Sequence, residues 1–336
     1  MKMIRFDQAF QDITKEIKKI PRKEYLSCGR YPIVDQGDGK IAGYTNCNDG
    51  LYTNVPVVLF GDHTRVFKYI NFPFFAGADG TKILKAKSGT DAHFGYYSFM
   101  QHPLPSLGYS RHFKLLKDKP FHTTDYASQL RIAGILGSLD EKIELNRKKI
   151  AELEALAGVV YNQLVATNQC EYSTISAVAT VKTGKQDSNF STADGEYRFF
   201  TCSKDILWCD KYEFEGKAIL LTGNGDLHVR YFDGKFNAYQ RTYVLQPNDA
   251  RLFSAIYLAV RAMLIRLARS ASGSIVKFIT KGDVEHIKVP AFKEQHQKLL
   301  NDCLSNVLNI EQEIDALIRI RDKLLPLLMN GQVVVK

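Results

Sequence analysis

The sequence predicts an α+β fold in which two α/β domains are separated by two long helices that form an antiparallel coiled coil, with an internal pseudo-twofold repeat. Three patterns predict it. One order of segments occurs twice, short apolar runs alternate with Gly, Pro, Asn and Asp, and two long stretches carry apolar residues alternately three and four apart. These patterns place the domains at residues 1–120 and 170–290 and the helices at residues 121–169 and 291–336.

The repeat begins with an apolar run that ends in a glycine-containing turn. Residues 55–65 are echoed by residues 218–225, residues 75–84 by residues 236–245, and residues 108–113 by residues 273–278. The frame is shared but the polar residues differ, as in Ala78-Asp79-Gly80 against Tyr239-Gln240-Arg241. Two copies of one unit with different polar residues favour a protein that recognises two different things.

Short strand-like runs fill both domains. In residues 1–119 they are separated by turn residues, as between Gly37 and Thr45, and the same pattern returns in residues 170–290 around a helical segment near Leu252 to Leu267. Short strands joined by polar turns are typical of domains that carry their function on loops.

A helical period replaces the strand pattern near residue 125. The first apolar seam contains Leu136, Leu139, Ile143, Asn146, Ile150, Leu153, Ala157, Val160 and Leu164. The second seam, framed by Pro290 and Pro326, contains Leu300, Cys303, Val307, Ile310, Ile314, Leu317, Arg321, Leu324 and Leu328. One narrow stripe on each helix predicts that the helices pack seam to seam, with Asn146 and Arg321 fixing the register at some cost in stability. The alternative is that each stripe packs on its own domain.

The chain is basic, with a net charge of +9 and a pI near 9.1. An excess of Lys and Arg favours a polyanionic partner, because neutralising phosphates releases condensed counterions. A generically basic surface is the alternative. Apolar residues at 45% and charged residues at 24% are globular values and argue against wholesale disorder.

The length of the first helix bears on that partner. From Leu136 to Leu164 the helix would span roughly 40 Å at about 1.5 Å per residue, close to the ~34–36 Å of one DNA turn. Two domains at the ends of such a rod could face the same side of a duplex. We therefore expect the rod to act as a ruler.

The cysteines and the N-terminal residues indicate the compartment. The six cysteines form no C-x-x-C pair and no dense framework, which favours reduced thiols over a disulfide scaffold or a zinc site. The first residues lack the apolar core of a signal peptide, and no segment approaches about eighteen uninterrupted apolar residues. We expect a cytoplasmic protein that does not contact a membrane.

Motifs of common catalytic sites are absent from the sequence. It contains no GxxxxGK[ST] phosphate loop, no HExxH zinc motif and no GxSxG nucleophile elbow. It also lacks the Asn/Asp-Pro-Pro-aromatic tetrad of adenine methyltransferases and a nuclease-like cluster of carboxylates and lysine. We expect no catalytic residue, no metal and no cofactor in this chain, with an enzyme of unrecognised site as an alternative.

The predicted loops concentrate residue types that read base edges and phosphates. Arg and Lys pair with guanine, Asn and Gln pair with adenine, and aromatic or Thr side chains meet thymine methyl groups. In the first domain the candidates are Tyr44, Thr45, His63, Arg65, Lys82, Ser110, Arg111, His112 and Lys114. In the second they are Lys182, Lys185, Asn189, Asn224, Arg230, Asn237, Tyr239, Gln240, Arg241, Ser274, Lys277 and Lys281. Any one of them could instead be a solvated surface residue, but they cluster at equivalent places in both repeats.

The order of domain, helix, domain and helix resembles the specificity subunit of Type I restriction-modification systems, the HsdS family. Residues 136–147, LGSLDEKIELNR, look like the first spacer helix of that family, and residues 323–333, KLLPLLMNGQV, look like the end of the second. The first domain adds PIVDQG at residues 32–37 and GYT at 43–45, and the second adds GSIVKFITKGD at 273–283. These fragments occur in the expected order over most of the chain.

The resemblance implies two target-recognition domains and no catalysis by this chain. It implies double-stranded DNA as a partner, two modification subunits that dock on the helices, carry S-adenosylmethionine and methylate adenine, and restriction subunits that translocate and cleave DNA. Two departures are a chain somewhat short for the family and a segment from Asp118 to Ala127 without the usual proline-rich lead-in. The leading hypothesis is sequence-specific reading of a bipartite, asymmetric DNA site; the alternative is a coiled-coil adaptor that binds DNA by charge, without base-specific readout.

Overall fold

The computed structural model describes residues 2–77, 80–105, 110–167, 170–270 and 278–333, without the side chains of residues 268–270. It divides the chain into two units. The first unit contains Met1–Glu144 and Asp315–Lys336, and the second contains Leu145–Ile314. Because the division falls inside both long helices, each unit contains a segment of each helix.

One order of elements occurs in both halves of the chain. The first copy contains β1 (Lys2–Arg5), α1 (Phe6–Ala9), β2 (Phe10–Asp12), β3 (Lys19–Ile20), β4 (Tyr31–Val34), β5 (Gly43–Thr45), β6 (Val57–Gly61), β7 (Phe67–Ile70), β8 (Phe75–Gly77), β9 (Thr81–Ala86), α2 (Ala92–Gln101), α3 (Phe113–Asp118), β10 (Pro120–Thr123) and α4 (Tyr126–Thr167). The second contains β11 (Tyr172–Thr174), α5 (Ile175–Val178), β12 (Ala179–Thr183), β13 (Tyr197–Phe200), β14 (Leu207–Cys209), β15 (Phe214–Thr222), β16 (Val229–Ala238), β17 (Thr242–Pro247), α6 (Phe253–Ser270), α7 (Lys281–Glu285), β18 (Lys288–Pro290) and α8 (Glu294–Met329). Within the described ranges, no helix is both long and apolar enough to cross a membrane.

The sheets repeat the same pairing. The first unit has two four-stranded sheets, ordered β2-β9-β6-β7 and β3-β8-β4-β5, and the second has a six-stranded sheet ordered β12-β17-β15-β16-β13-β14. The register is shared, since Val58 pairs with Leu84 as Ile219 pairs with Leu245. The predicted α+β fold with an internal repeat is therefore confirmed.

A proline accounts for the main difference between the two copies. Strands β7 and β8 occupy the positions of the single strand β16, and the chain between them contains Pro73. Proline has no N–H to donate to a strand ladder, so it interrupts the strand. In the second copy the strand register places Lys235 at the position of Pro73, after Gly234 with φ of 140°, and β16 continues from Val229 to Ala238.

Each unit has its own apolar core. In the first, every residue of β6 is buried, and Phe10, Phe60 and Phe94 of one cluster are at most 1% exposed. In the second, the start of α6 packs on the sheet, with Phe253 and Ile256 fully buried. Each such side chain contributes about 1.5–3 kcal/mol relative to an exposed one.

The long helices run antiparallel in both units. In the first, Asp140 of α4 contacts Arg321 of α8, while Leu136 shares a core with Leu328. In the second, Asn146 Nδ2 donates to Glu313 Oε2 at 2.8 Å, and the ring of Tyr161 meets Phe292, just before α8, at 5.6 Å. Every predicted seam residue is buried or half-buried, so the predicted antiparallel pairing is confirmed. The second helix continues past Pro326 to Met329.

Gly134, on the exposed face of α4, tests how much the stability of this helix depends on the helix propensity of its residues. A Cβ added there meets no atom of the described residues within 4 Å. Gly134→Ala should raise the free energy of unfolding by about 0.5–1 kcal/mol, because Ala loses less backbone entropy in a helix. Urea unfolding followed by circular dichroism measures it.

The matched control lies one turn further along the same helix. A Cβ on Gly137 would lie 2.5 Å from Cε1 of His93, whose ring stacks on Tyr69. Gly137→Ala should therefore destabilise the chain. Equal effects of the two substitutions would contradict this account of α4.

Candidate functional site

Gly223 joins the loops of the second unit through its main chain. Its amide N–H donates to the carbonyl of Arg241 at 2.8 Å, and its carbonyl accepts from the N–H of Ile279 at 2.8 Å. The N–H of Gln240 donates in turn to the carbonyl of Gln186 at 2.8 Å. The segments 184–187, 201–206, 222–228, 239–242 and 278–281 are named here the second loop cluster.

Asp62 joins the loops of the first unit in the same way. Its N–H donates to the carbonyl of Gly80 at 2.7 Å, and its carbonyl accepts from the N–H of His112 at 2.9 Å. The hydroxyl of Thr64 donates to the carbonyl of Gln36 at 2.7 Å. The segments 35–40, 61–66, 80–82 and 110–113 form the first loop cluster. Both repeats thus build their loops on one main-chain frame.

The second loop cluster brings together several of the sequence-predicted contact residues. Lys185, Asn224, Tyr239, Gln240 and Arg241 all lie in it, and all but Asn224 and Tyr239 are exposed. A groove of about 490 Å³ runs beside it, lined by Lys182, Lys185 and Lys281 with Glu213, and a cavity of about 330 Å³ lies between Gln240, Arg241 and Lys281. This side of the unit offers cations and amides to a ligand at once.

The loop between β13 and β14, residues 201–206, belongs to the same cluster and was missed by sequence reasoning. The thiol of Cys202 donates to Oδ1 of Asn224 at 2.9 Å. Lys204 Nζ lies 2.8 Å from Oδ2 of Asp226, and this hydrogen bond lowers the pKa of the Asp226 carboxyl. The loop therefore adds an exposed lysine that pairs with Asp226, two residues from Asn224.

Arg230 supports this loop. Its guanidinium Nη2 donates to the carbonyls of Lys204 at 2.7 Å and Ser203 at 3.3 Å. The side chain is half-buried, and burial lowers its pKa. Arg230, which the sequence predicts as a DNA contact, therefore uses its guanidinium to bind main-chain oxygens of this loop.

The first loop cluster contains a further set of predicted residues. Arg65 takes a left-handed backbone conformation with φ of 61°, and its Nη1 donates to the carbonyl of Leu104 at 3.1 Å. Lys82 Nζ lies 5.2 Å from the ring centre of Phe113. Arg111 is exposed, while His63 and Ser110 are half-buried.

Burial corrects three of the predicted contact residues. Thr45, His112 and Asn237 are 7%, 0% and 2% exposed, so their side chains cannot reach a ligand on the surface. The ring Nδ1 of His112 lies 3.0 Å from the carbonyl oxygen of Asp62, and Asn237 Nδ2 donates to the carbonyl of Lys211. Their polar groups are used inside the fold.

The remaining candidates lie apart from these clusters or outside the description. Tyr44 lies on β5, in the other sheet of the first unit, and is half-buried. Lys114 and Asn189 are exposed. Ser274 and Lys277 lie outside the residues that the structure describes.

The polar residues of the helix seam have partners in both units. Arg321 Nη1 donates to Oδ1 of Asp140 at 2.8 Å, and the hydroxyl of Tyr97 donates to Oδ2 of the same carboxylate at 2.7 Å. Burial and the Asp140 carboxylate raise the pKa of Tyr97. The apolar residues of the two seams, which lie along the helices on either side of these contacts, are buried or half-buried. They are Leu136, Leu139, Ile143, Ile150, Leu153, Ile310, Ile314, Leu317 and Leu324.

Metal-binding side chains do not gather in the part of the chain that the structure describes. No group of three or more His, Cys, Asp or Glu residues there could hold a metal ion. The two clusters instead combine main-chain hydrogen bonds with cationic and amide side chains.

Comparisons with known proteins agree with this geometry. Residues 168–319 match the family described as the Type I restriction modification DNA specificity domain. The Type I restriction enzyme EcoDI specificity subunit of Escherichia coli is 34% identical over 160 residues, which are 45% of this chain and 36% of that protein. The EcoR124I/EcoR124II specificity subunit of Escherichia coli is 28% identical over 99 residues, 29% of this chain and 24% of that protein. The aligned regions thus span about a third of one curated relative and about a quarter of the other.

A solved structure shows the same fold over nearly the whole chain. The Type I restriction-modification system S subunit from M. genitalium superposes with a TM-score of 0.61 at 18% identity, covering 97% of this chain and 95% of that one. The resemblance drawn from the sequence is confirmed, and residues 168–319 of this chain belong to the Type I restriction modification DNA specificity domain family.

Proposed function

We propose that this chain reads a bipartite, asymmetric duplex DNA target, with each unit recognising one half-site, and that it catalyses no reaction itself. The observation that carries the proposal is the pair of loop clusters. Asp62 and Gly223 make the same main-chain hydrogen bonds, while the side chains around them differ. One frame with two sets of polar groups suits two different sequences.

The residue types in the second loop cluster support base readout. Asn224 and Gln240 can pair with adenine, and Arg241 can pair with guanine. Lys182, Lys185 and Lys281 line the adjacent groove, where they would neutralise phosphates and position the duplex. The net charge of +9 supports the same kind of partner.

The helices support a second part of the proposal, the docking of two methyltransferase subunits. In the second unit, α4 carries exposed apolar residues outside its seam, with Leu145, Leu156 and Val159 at 49%, 52% and 63% exposure. Apolar side chains at this helical spacing suit a protein partner. The modification subunits would bring S-adenosylmethionine and methylate adenine, and restriction subunits would translocate and cleave DNA.

A selection experiment tests the proposal. The full chain, assembled with its modification subunits, is incubated with a pool of randomised duplexes at fixed salt, and the bound DNA is sequenced. Two blocks of selected bases separated by an unselected spacer are expected. Tight, salt-sensitive binding without selected bases would instead establish the adaptor function, and methylation or cleavage by the chain alone would contradict the absence of catalysis.

Arg241 provides the sharpest single substitution for this assay. Arg241→Ala should relax selection at one position of one half-site by about 1–2 kcal/mol, because a bidentate pair with a base is lost. Lys182→Ala is the matched control. It should weaken binding to all sequences alike and reduce the salt dependence by about one ion. Loss of selection in both half-sites with Arg241→Ala would contradict the assignment of one half-site to each unit.

A further inference from the structure

Lys68 and Arg230 occupy the same position in the two repeats. Lys68 of β7 pairs with Leu59 of β6, and Arg230 of β16 pairs with Leu220 of β15. Leu59 and Leu220 are themselves equivalent, because they pair with Ile83 and Val244 at matching places in β9 and β17. Each repeat therefore carries one cation at one register position of its central strand pair.

Both cations donate to main-chain oxygens of the equivalent loop. Lys68 Nζ donates to the carbonyl of Asp35 at 2.7 Å and to that of Gly39, in the loop between β4 and β5. Arg230 Nη2 donates to the carbonyls of Ser203 and Lys204, in the loop between β13 and β14. Strand β4 pairs in parallel with β8, which follows the strand of Lys68, and β13 pairs in parallel with the end of β16, the strand of Arg230. The β4–β5 loop and the β13–β14 loop therefore correspond.

Each of these loops touches the turn that carries predicted contact residues. The side-chain Oε1 of Gln36 accepts from the N–H of His63 at 3.2 Å in the first unit. Cys202 and Lys204 contact Asn224 and Asp226 in the second. A shift of either loop would therefore displace the side chains of the adjacent turn.

The placement of Lys68 is costly for stability, and Arg230 is half-buried. Lys68 is only 6% exposed, and burial lowers the pKa of its ammonium group. Buried charges are commonly less favourable than apolar side chains of similar size. The hydrogen bonds of these cations to the adjacent loops explain why each repeat has a cation at this position, Lys in the first and Arg in the second.

We propose that Lys68 and Arg230 are equivalent positioning residues, each of which holds the loop above it in the shape with which its unit reads one half-site. This inference rests on the proposed function for its DNA readout. The β4–β5 loop (residues 35–40) and the β13–β14 loop (residues 201–206) are then parts of the two reading surfaces. The sequence does not predict these loops as contact sites, because the loop atoms that bind Lys68 and Arg230 are main-chain carbonyls, which every residue has.

The experiment compares Lys68→Met and Arg230→Met in the selection assay with the assembled complex. Met removes the charge and keeps an unbranched side chain that is close in length to Lys and shorter than Arg, so urea unfolding should show little loss of global stability. Lys68→Met should reduce discrimination about tenfold in one half-site only, and Arg230→Met should do so in the other. Arg230→Lys should restore most of it, because an ammonium group can still donate to the two carbonyls.

Two other cations serve as matched controls. Lys85 Nζ also donates to main-chain carbonyls, those of Asn54 and Pro56, but not to the β4–β5 loop. Lys217 is a half-buried cation of β15 that lies over the ring of Phe253. Lys85→Met and Lys217→Met should leave selection unchanged. Equal loss in both half-sites with either Lys68→Met or Arg230→Met, or no loss in any, would overturn the proposal.

Amide hydrogen exchange provides a readout that does not depend on DNA. Lys68→Met should speed exchange in residues 35–40 and leave residues 201–206 unchanged, and Arg230→Met should do the reverse. If exchange changes as expected but the wild-type complex selects no sequence, the anchoring stands and the proposed function fails. If selection is bipartite but neither loop changes its exchange, the anchoring fails and the proposed function stands.

Discussion

Gly184→Ala should destabilise the second unit by about 3 kcal/mol and abolish selection in one half-site. A Cβ on Gly184 would lie 2.0 Å from the carbonyl oxygen of Ala238 and 2.3 Å from its carbonyl carbon. Both atoms are main chain, so no side-chain rotation relieves the clash. The N–H of Gly184 also donates to the carbonyl of Thr242 at 3.1 Å, and this contact would be displaced with the strand. Urea unfolding measures the stability, and the duplex selection measures the readout.

Gly158 is the matched control in the same unit. It lies on α4, and a Cβ there meets no atom of the described chain within 4 Å. Gly158→Ala should leave selection intact and stabilise the helix by about 0.5–1 kcal/mol. Wild-type stability and selection in Gly184→Ala would show that the close approach to Ala238 is not required.

Asp140→Ala should lower the free energy of unfolding by about 2–3 kcal/mol. Asp140 accepts hydrogen bonds from both Arg321 and Tyr97, and the side chains of Arg321 and Asp140 are only 22% and 29% exposed. Its removal leaves a partly buried cation and a buried hydroxyl without this acceptor, and each such loss costs about 1–3 kcal/mol, less where water still reaches the group. Thermal and urea unfolding measure the change.

A double substitution separates the charge pair from its packing. Asp140→Leu with Arg321→Leu should recover the part of the lost stability that comes from the unpaired Arg321, because apolar side chains replace partly buried ion pairs at little cost, while the Tyr97 hydroxyl still lacks its acceptor. Asp322→Ala is the control. Asp322 is the other carboxylate that contacts Arg321, and the Asp322 side chain is 57% exposed. Its removal should change the free energy of unfolding by less than about 0.5 kcal/mol. If Asp140→Ala and Asp322→Ala were equally mild, the Asp140 network would be only a surface contact.

The helices could be predicted from the sequence because their signal is local. The three-and-four spacing of Leu136, Leu139 and Ile143 depends only on the period of the α-helix, and Asn146 and Arg321 stand out in the seams as polar exceptions. Their partners could not be predicted. Glu313, the partner of Asn146, and Asp140, the partner of Arg321, each lie far from that partner in the sequence, and nothing in a spacing pattern distinguishes them from other polar residues.

The loops were predicted in part, because residue type alone does not distinguish a ligand contact from a structural one. His112 and Arg111 are neighbours in one basic segment, yet the first is fully buried and the second is exposed. Lys68 had a signal that could have been used. It occupies, in the first repeat, the place of Arg230 in the second, and a cation at one place in two otherwise different apolar strands marks a shared structural task.

The interleaving of the two units along the chain has a consequence for biosynthesis. Leu328 and Met329 are 2% and 0% exposed in a core that also contains Phe6 and Phe10. The ribosome makes those two residues only after all of Leu145–Ile314, the whole second unit. All residues of the second unit therefore leave the ribosome before the last core residues of the first, whose apolar surface stays open until this late segment emerges. Chaperone dependence should accordingly fall on the part of the protein that is synthesised first.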